Sequence, residues 1–233
     1  MLGICHLTYI PMRSESTSKS EQVSQLIYGE CYEVLKEEGD WYWIKNLFDQ
    51  YQGYINKTQF HPIDSIPQNQ KIINQAFVPT NQLFLPCGAM VQGEHEKARL
   101  ITDDLGNAFD VCNLALQFKL TTYLWGGRTF MGIDCSGLVQ VIFKACGYNL
   151  PRDAKDQVNA GIQIKLENAA ASDVAFFKNA AGKISHTGIL LDKNKIIHAH
   201  GMVRIDTFDS QGIYNSERQE YSHQLASIRR IIG

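Results

Sequence analysis

Hydrophobic and polar residues alternate along the N-terminal part of the chain. Residues 33–36, 41–47 and 51–55 follow this pattern, which predicts short strands because successive side chains of a strand point to opposite faces. Turn-forming residues separate these segments at 28–30 and 37–40. About five or six short strands within residues 1–63 predict a small β-barrel.

A polar stretch after Pro62 interrupts this alternation and predicts a linker over 64–70. The whole of 64–105 is interpreted as a connecting segment between two domains. Within it, residues 82–86 and 89–92 predict a pair of strands around Cys87 and Gly88.

The hydrophobic period changes near Gly106. Apolar residues then recur at helical spacing over 108–120 and again over 138–146, where Gly147 is placed to end the helix. A third, shorter helix is expected within 151–161. Apolar segments with strand character follow at 174–177, 187–191, 195–200, 203–206 and 226–232. Helices followed by antiparallel strands predict an α+β domain over residues 106–233.

Composition excludes several functional classes. The chain is 44% hydrophobic and 20% charged with a net charge of −2, which is ordinary for a soluble globular protein. A basic stripe is lacking, which argues against a nucleic-acid partner, and no apolar run approaches the length of a membrane span. The N-terminus lacks the pattern of a signal peptide, so a cytoplasmic location is expected, or a periplasmic or exported one if a leader was removed.

The six cysteines are scattered and include no CxxC pair. This spacing does not suggest a zinc site, and reduced thiols are the simpler interpretation. Burial as a small hydrophobic residue is the default role for each cysteine without further context. We expect neither a metal nor a cofactor.

Cys135 has a different context, because glycines precede it and the helical pattern begins at Leu138. A thiol at a helix N-terminus is expected to have a lowered pKa, and the free N–H groups there can stabilise an oxyanion. Asp134 suits a capping role at this position. The local sequence leaves open a buried cysteine that simply begins a helix.

His186 is the best candidate for the base that a thiol nucleophile needs. It lies at the start of an apolar strand, and His198 and His200 lie on the next strand. A bulged or odd-length turn near Asp192 would put His186 directly opposite His198 on one face of the hairpin. His200 has the same parity, so spacing alone does not choose between them. The remaining histidines are expected at the surface: His6, His61, His95 and His223.

Several segments resemble the NlpC/p60 family of cell-wall cysteine peptidases. The matching residues are 123–127, 132–139, 150–152, Gln157, 172–177, 185–189 and 197–199. The resemblance implies a papain-like α+β fold with Cys135 as nucleophile, His186 as base and His198 as the polar residue that orients it. It also implies hydrolysis of the amide between γ-D-glutamate and a diamino acid in murein peptides.

The first sixty residues resemble a bacterial SH3-like domain, in a looser match. The two domains together are similar to γ-D-glutamyl-L-diamino acid endopeptidases that recycle wall fragments. By this resemblance, Asp134 and Ser136 would bind a free N-terminal L-alanine, and Glu30 and Tyr51 would complete the pocket. The alternatives are a turn role for Glu30 and a barrel-core role for Tyr51.

Two positions nearby bear on substrate binding. Arg128 is a candidate partner for a substrate carboxylate, with plain solvation as the alternative. Ala154 stands where similar enzymes often carry a substrate-binding serine, which removes about 1 kcal/mol of hydrogen bonding without removing the chemistry. The rival functions are an acyltransferase or general amidase on the same fold, and a non-catalytic wall-binding protein.

Overall fold

The computed structural model describes residues 1–93, 98–100 and 107–232. Six strands build the N-terminal part, in the sheet order β1-β4-β5-β6-β2-β3. Their bounds are β1 Leu2–Ile4, β2 Tyr9–Arg13, β3 Gln22–Ile27, β4 Cys31–Glu38, β5 Trp41–Asn46 and β6 Gln52–Asn56. The strands predicted from alternation are confirmed, because their apolar positions meet in one core around Ile10, Leu26, Ile44 and Ile55.

The connecting segment contains short strands of its own. These are β7 Lys71–Ile73, β8 Phe77–Pro79, β9 Phe84–Pro86, β10 Met90–Val91 and β11 Ala98–Leu100. The predicted pairing of 82–86 with 89–92 is wrong, since β9 pairs with β8 and β10 pairs with β7. Cys87 is fully buried between these strands and donates to the Val141 carbonyl. The predicted boundary at 105/106 lies outside the described residues.

In the described residues from 107 to 232, the α-helices are α1 Ala108–Leu116, α2 Cys135–Ala145 and α3 Ala154–Gln157. Helix α2 is buried along its whole length. It ends as predicted at Gly147, whose φ of +89° is accessible to glycine at little cost. The Tyr148 N–H then bonds the Phe143 carbonyl and closes the helix end.

A seven-stranded sheet packs against α2, in the order β14-β20-β15-β16-β17-β18-β19, and an additional pairing of β20 with β19 closes six of its strands into a barrel. These strands are β14 Ile162–Ile164, β15 Val174–Lys178, β16 Ile184–Asp192, β17 Lys195–His200, β18 Met202–Phe208, β19 Gly212–Asn215 and β20 Glu220–Arg230. A two-stranded ribbon of β12 Arg128–Thr129 and β13 Gly132–Ile133 precedes α2. The sheet and α2 share one apolar core, which includes Leu138, Ile142, Phe176 and Ile197.

The fold therefore has the predicted α+β character with an SH3-like N-terminal domain. The predicted strands at 174–177, 187–191, 195–200 and 203–206 are confirmed, while the last strand is longer and earlier than the predicted 226–232. Strands β14 and β19 were not predicted, because each is short and β14 is largely exposed. None of the helices in the described part of the chain has the length and apolarity that a membrane crossing needs.

Candidate active site

Cys135 is the first residue of α2 and lines a cleft of about 270 Å³. Asp134 is the N-cap residue of this helix, and its carboxylate accepts hydrogen bonds from the Gly137 and Gly126 N–H groups. Gly137 is required here, because a Cβ at that position would lie 2.2 Å from the Gly127 carbonyl oxygen. The capping role suggested for Asp134 by its local sequence is confirmed.

Cys135 is only 8% exposed, and this burial overturns the expectation of a lowered thiol pKa. Burial and the neighbouring Asp134 carboxylate raise the pKa of the thiol to about 12, although backbone N–H groups of Thr187 and Ser136 oppose the shift. Loss of water around the thiolate thus outweighs the favourable helix terminus. The resting thiol is protonated and requires a base.

Strands β16 and β17 bring His186 and His198 together. Their Nε2 and Nδ1 atoms, respectively, are 2.8 Å apart. The hairpin has a bulge between Leu190 and Asp192. A bulged turn near Asp192 is one of the two turn types that the sequence predicts for a hairpin with both histidines on one face. The residue directly opposite His198 is Gly188, however, so His186 and His198 share a face as diagonal rather than opposite neighbours.

A carboxylate on β18 completes this hydrogen-bonded row. The Nε2 atom of His198 lies 3.0 Å from Oδ2 of Asp206, which also pairs with Arg204. An ionised carboxylate only accepts hydrogen bonds, so His198 carries its proton on Nε2 and accepts on Nδ1. His186 must then donate from Nε2, which leaves its Nδ1 without a proton. We assign both tautomers from this network.

Two further histidines surround the pair. His223 stacks on His186 with ring centroids 4.0 Å apart, and His200 lies edge-on to His223. The expected surface position of His223 is therefore wrong, since its ring is half-buried against the candidate base. Burial lowers the pKa of His186 well below its ordinary value, and electrostatic repulsion from His198, His223 and His200 lowers it further. The predicted surface residue His95 lies outside the described residues.

Three of the expected substrate-binding residues line the cleft beside Cys135: Asp134, Ser136 and Tyr51. Tyr51 comes from the N-terminal domain, so both domains contribute to this cleft. The Arg152 guanidinium donates two hydrogen bonds to the Asp134 carboxylate and one to the Ser136 hydroxyl. Ala154 also lines the cleft. The cleft wall therefore carries a methyl group where similar enzymes often have a serine hydroxyl.

The structure does not bring Glu30 and Arg128 to the cleft, which corrects both expectations. Each side chain is fully buried, and they form a two-bonded ion pair at 2.8 and 2.9 Å. Lys144 of α2 adds a third charge, 2.6 Å from Glu30. Burial alone would raise the pKa of Glu30, but the two cations outweigh it and lower that pKa to about 2. With all its partners inside the protein, Glu30 is an anchor between the domains.

Further hydrogen bonds join the N-terminal domain to the catalytic domain. The Arg128 N–H and guanidinium bond the side chain and carbonyl of Gln25. Gln140 of α2 donates to the Asp49 carboxylate at 2.9 Å. The cleft wall that includes Tyr51 is therefore fixed by buried polar contacts rather than by apolar contact alone.

Sequence reasoning missed three residues that shape the site: Arg152, Asp206 and His223. Asp206 and Arg204 are two residues apart on β18, so their side chains lie on the same face of the sheet. Because Arg204 is directly opposite His198, the strand alternation could have placed Asp206 near His198. Arg152 and His223 reach the site from segments that no local pattern connects to it.

Comparison with known proteins agrees with this architecture. The profile of the NlpC/P60 family matches residues 120–222, and that of the bacterial dipeptidyl-peptidase SH3 domain matches residues 12–60. A crystal structure of an NlpC/P60 family protein from Bacillus cereus ATCC 10987 superimposes with a TM-score of 0.86 over 100% of both chains at 16% identity, which shows a shared fold.

Two curated relatives illustrate the range of similarity. Gamma-D-glutamyl-L-lysine dipeptidyl-peptidase of Bacillus subtilis strain 168 is 36% identical over 132 residues, or 56% of this chain and 43% of that protein. Dipeptidyl-peptidase 6 of Lysinibacillus sphaericus is 23% identical over 92% of this chain and 94% of that protein. The matches thus span less than half of the first relative and nearly all of the second. The chain therefore contains an NlpC/P60 cysteine-peptidase domain preceded by a bacterial dipeptidyl-peptidase SH3 domain.

Proposed function

We propose that this chain hydrolyses the amide bond between γ-D-glutamate and an L-diamino acid in murein peptides that have a free N-terminal L-alanine. The observation that carries the proposal is the position of Cys135. Its thiol lies at a helix N-terminus in a cleft walled by both domains, with Thr187, the neighbour of His186, at the sulfur. The names of relatives matched here, gamma-D-glutamyl-L-lysine dipeptidyl-peptidases, support the bond that is cut.

The reaction follows from the assigned tautomers. Unprotonated Nδ1 of His186 takes the thiol proton as Cys135 attacks the substrate carbonyl, and the resulting imidazolium returns a proton to the leaving amine. His198 stabilises the imidazolium, because its Nδ1 accepts from Nε2 of His186. Water then releases the acyl group from the Cys135 thioester. No step requires a group beyond the chain and water.

The acidic and hydroxyl groups that line the cleft fit a short peptide with a free amine. Asp134 shares its charge with Arg152, and Glu30 is buried. The more exposed carboxylates of the cleft are those of Glu21 and Asp153. An ammonium group would meet these acids together with the Tyr51 and Ser136 hydroxyls, and charge-assisted hydrogen bonds of this kind are the stronger class.

Product analysis tests the proposal. L-Ala-γ-D-Glu-L-Lys and its diaminopimelate counterpart would be incubated with the protein beside N-acetylated versions, and the products identified by mass spectrometry. We expect L-Ala-D-Glu and the free diamino acid, with much slower cleavage of the acetylated peptides. Transfer of the acyl group to an amine instead of water would identify an acyltransferase, and equal cleavage of acetylated peptides would contradict recognition of a free amine.

Intact murein provides the second arm of the same experiment. A recycling enzyme should cut free peptides and leave polymeric murein intact, whereas efficient cleavage of sacculi would contradict recycling. The cytoplasmic location expected from the sequence stays a prediction.

A further inference from the structure

Three histidine rings lie close together beside the candidate base: His186 itself, His198 and His223. One nitrogen of each of His186, His198 and His223 lies within 4.8 Å of the others. The first two are already 2.8 Å apart, and the His223 ring lies over His186. Nε2 of His198 is engaged by Asp206 and Nδ1 of His223 by the Ser222 hydroxyl. Nε2 of His186 and Nδ1 of His198 contact each other, and Nε2 of His223 is the third nitrogen that these contacts leave as a possible ligand.

A second cleft borders this cluster at His223, and Ser185 lines both this cleft and the one beside Cys135. It has a volume of about 710 Å³, and His223, Ser222, Ser185 and Tyr221 are among its lining residues. His223 is half-buried at its wall, whereas His198 is fully buried behind it. A small ion can therefore reach His223 from this second cleft.

We propose that His186, His198 and His223 form a binding site for a divalent transition-metal ion of the zinc class, and that an ion bound there inhibits the enzyme. Three imidazole nitrogens suit zinc, cobalt, nickel or copper, while magnesium and calcium prefer oxygen ligands. The hydrogen bond from His198 to Asp206 supplies the carboxylate that commonly orients a metal-binding histidine.

The required adjustment is small for two of the ligands. Tetrahedral zinc with bonds of about 2.0–2.1 Å places its nitrogens roughly 3.3 Å apart. His186 and His198 would separate by about half an ångström from their 2.8 Å contact. The half-buried His223 ring must tilt out of its stack on His186 so that its nitrogen points to the ion, and the open cleft beside it leaves room for that rotation.

Inhibition follows from the proton position on His186. An ion bound to Nε2 replaces the hydrogen bond to His198, so the neutral ring must carry its proton on Nδ1. That is the nitrogen proposed to accept the thiol proton of Cys135. The metal-bound enzyme therefore has a thiol without a base, even though the ion does not touch the sulfur. Only the inhibitory consequence rests on the proposed function; the binding site itself does not.

Calorimetric titration with Zn²⁺, together with the visible spectrum of the Co²⁺ form, tests the site without any substrate. We expect one equivalent to bind the wild type, with a spectrum typical of nitrogen ligands. His223→Phe keeps the stacked ring but lacks a ligand, and should weaken binding more than Asp206→Asn, for which the expected loss is about 10- to 100-fold. His223→Gln provides a second variant in case the larger ring disturbs folding, which circular dichroism would reveal.

Two controls separate this site from ordinary metal capture. Cys135→Ala should retain Zn²⁺ binding, because the thiol is not a ligand. His6→Gln alters a separate close histidine pair, His6 and His61, and should leave binding unchanged. The proposal is overturned if the wild type binds no equivalent, if both His223 variants bind as tightly as wild type, or if Cys135→Ala abolishes binding. None of these outcomes depends on whether murein peptides are cut.

Discussion

Gly188 lies directly opposite His198 in the pairing of β16 with β17. A Cβ atom at Gly188 would lie 2.8 Å from Cβ of His198 and 2.9 Å from the Ile197 carbonyl oxygen. The absent side chain leaves the space in which the His198 ring leans across the hairpin toward His186, two residues away along the strand.

Gly188→Ala should therefore impair turnover by displacing His198. A misplacement of about 1 Å in a catalytic group costs on the order of 10²-fold in rate, and we expect a fall in kcat of that order with a smaller change in KM. Peptide hydrolysis and thermal unfolding would be measured together. Unchanged kcat in a folded variant would mean that the glycine is not needed for the histidine pair.

Asp206→Asn should remove the group that fixes the tautomers. The asparagine amide can donate to Nε2 of His198, which moves the His198 proton to Nδ1 and forces the His186 proton onto Nδ1, toward the thiol. Loss of the general base costs on the order of 10²–10⁴-fold in kcat. Arg204→Gln is the matched control, since it removes the ion pair with Asp206 but keeps the carboxylate; it should cost less. Equal activity of Asp206→Asn and wild type would refute the tautomer assignment.

The pH dependence of turnover follows from the shifted pKa of His186. His186 must be neutral to accept a proton, and burial with the neighbouring histidines lowers its pKa well below 6.5. kcat/KM should therefore persist below pH 6.5 and fall only as the pH drops through the lowered value, which belongs to the coupled histidines.

The Cys135 thiol, with its pKa raised to about 12, should be alkylated by iodoacetamide at a rate that still rises above pH 9. A plateau in alkylation near neutral pH would reveal a preformed thiolate and contradict this account.

Glu30→Gln should destabilise the protein, because Arg128 and Lys144 would remain buried without their shared counter-ion. Removal of one partner from a buried ion pair typically costs about 3–5 kcal/mol, measurable by urea unfolding. Lys144→Met leaves the Glu30–Arg128 pair intact and should cost less. A Glu30→Gln variant as stable as wild type would show that the cluster does not anchor the domains.

The same cluster gives a stability change with acid. The folded-state pKa of Glu30 is lowered to about 2 from an ordinary 4.5, so its stabilising contribution is fully present above pH 4.5. That contribution is lost as the pH falls from 4.5 toward 2. Glu30→Gln should flatten this part of the pH–stability curve.

Local patterns were sufficient for much of the fold and for the catalytic candidates. The alternation over 195–200 put His198 on one face of a strand, and the glycines before Cys135 marked the start of α2. Family resemblance, rather than spacing, selected His198 over His200. These features depend on neighbours in sequence, where periodicity carries information.

Features that depend on distant contacts were out of reach. Glu30 looked like a turn or pocket residue because nothing in its own segment shows that Arg128 and Lys144 close over it. The thiol pKa was expected to fall because the helix terminus is local, whereas the burial that raises it comes from β16 and the cleft walls. The partner of β9 likewise depends on which short strands meet in three dimensions.

The covalent role of Cys135 is the central claim, and mass spectrometry of the intact protein during turnover tests it most directly. Quenching in acid with excess L-Ala-γ-D-Glu-L-Lys should reveal wild-type protein heavier by one L-Ala-γ-D-Glu acyl group, with the added mass on the peptide that contains Cys135. Cys135→Ala should show neither the adduct nor release of lysine, while Cys112→Ala, which changes another free thiol, should retain both. Lysine release by Cys135→Ala at the wild-type rate would contradict the account.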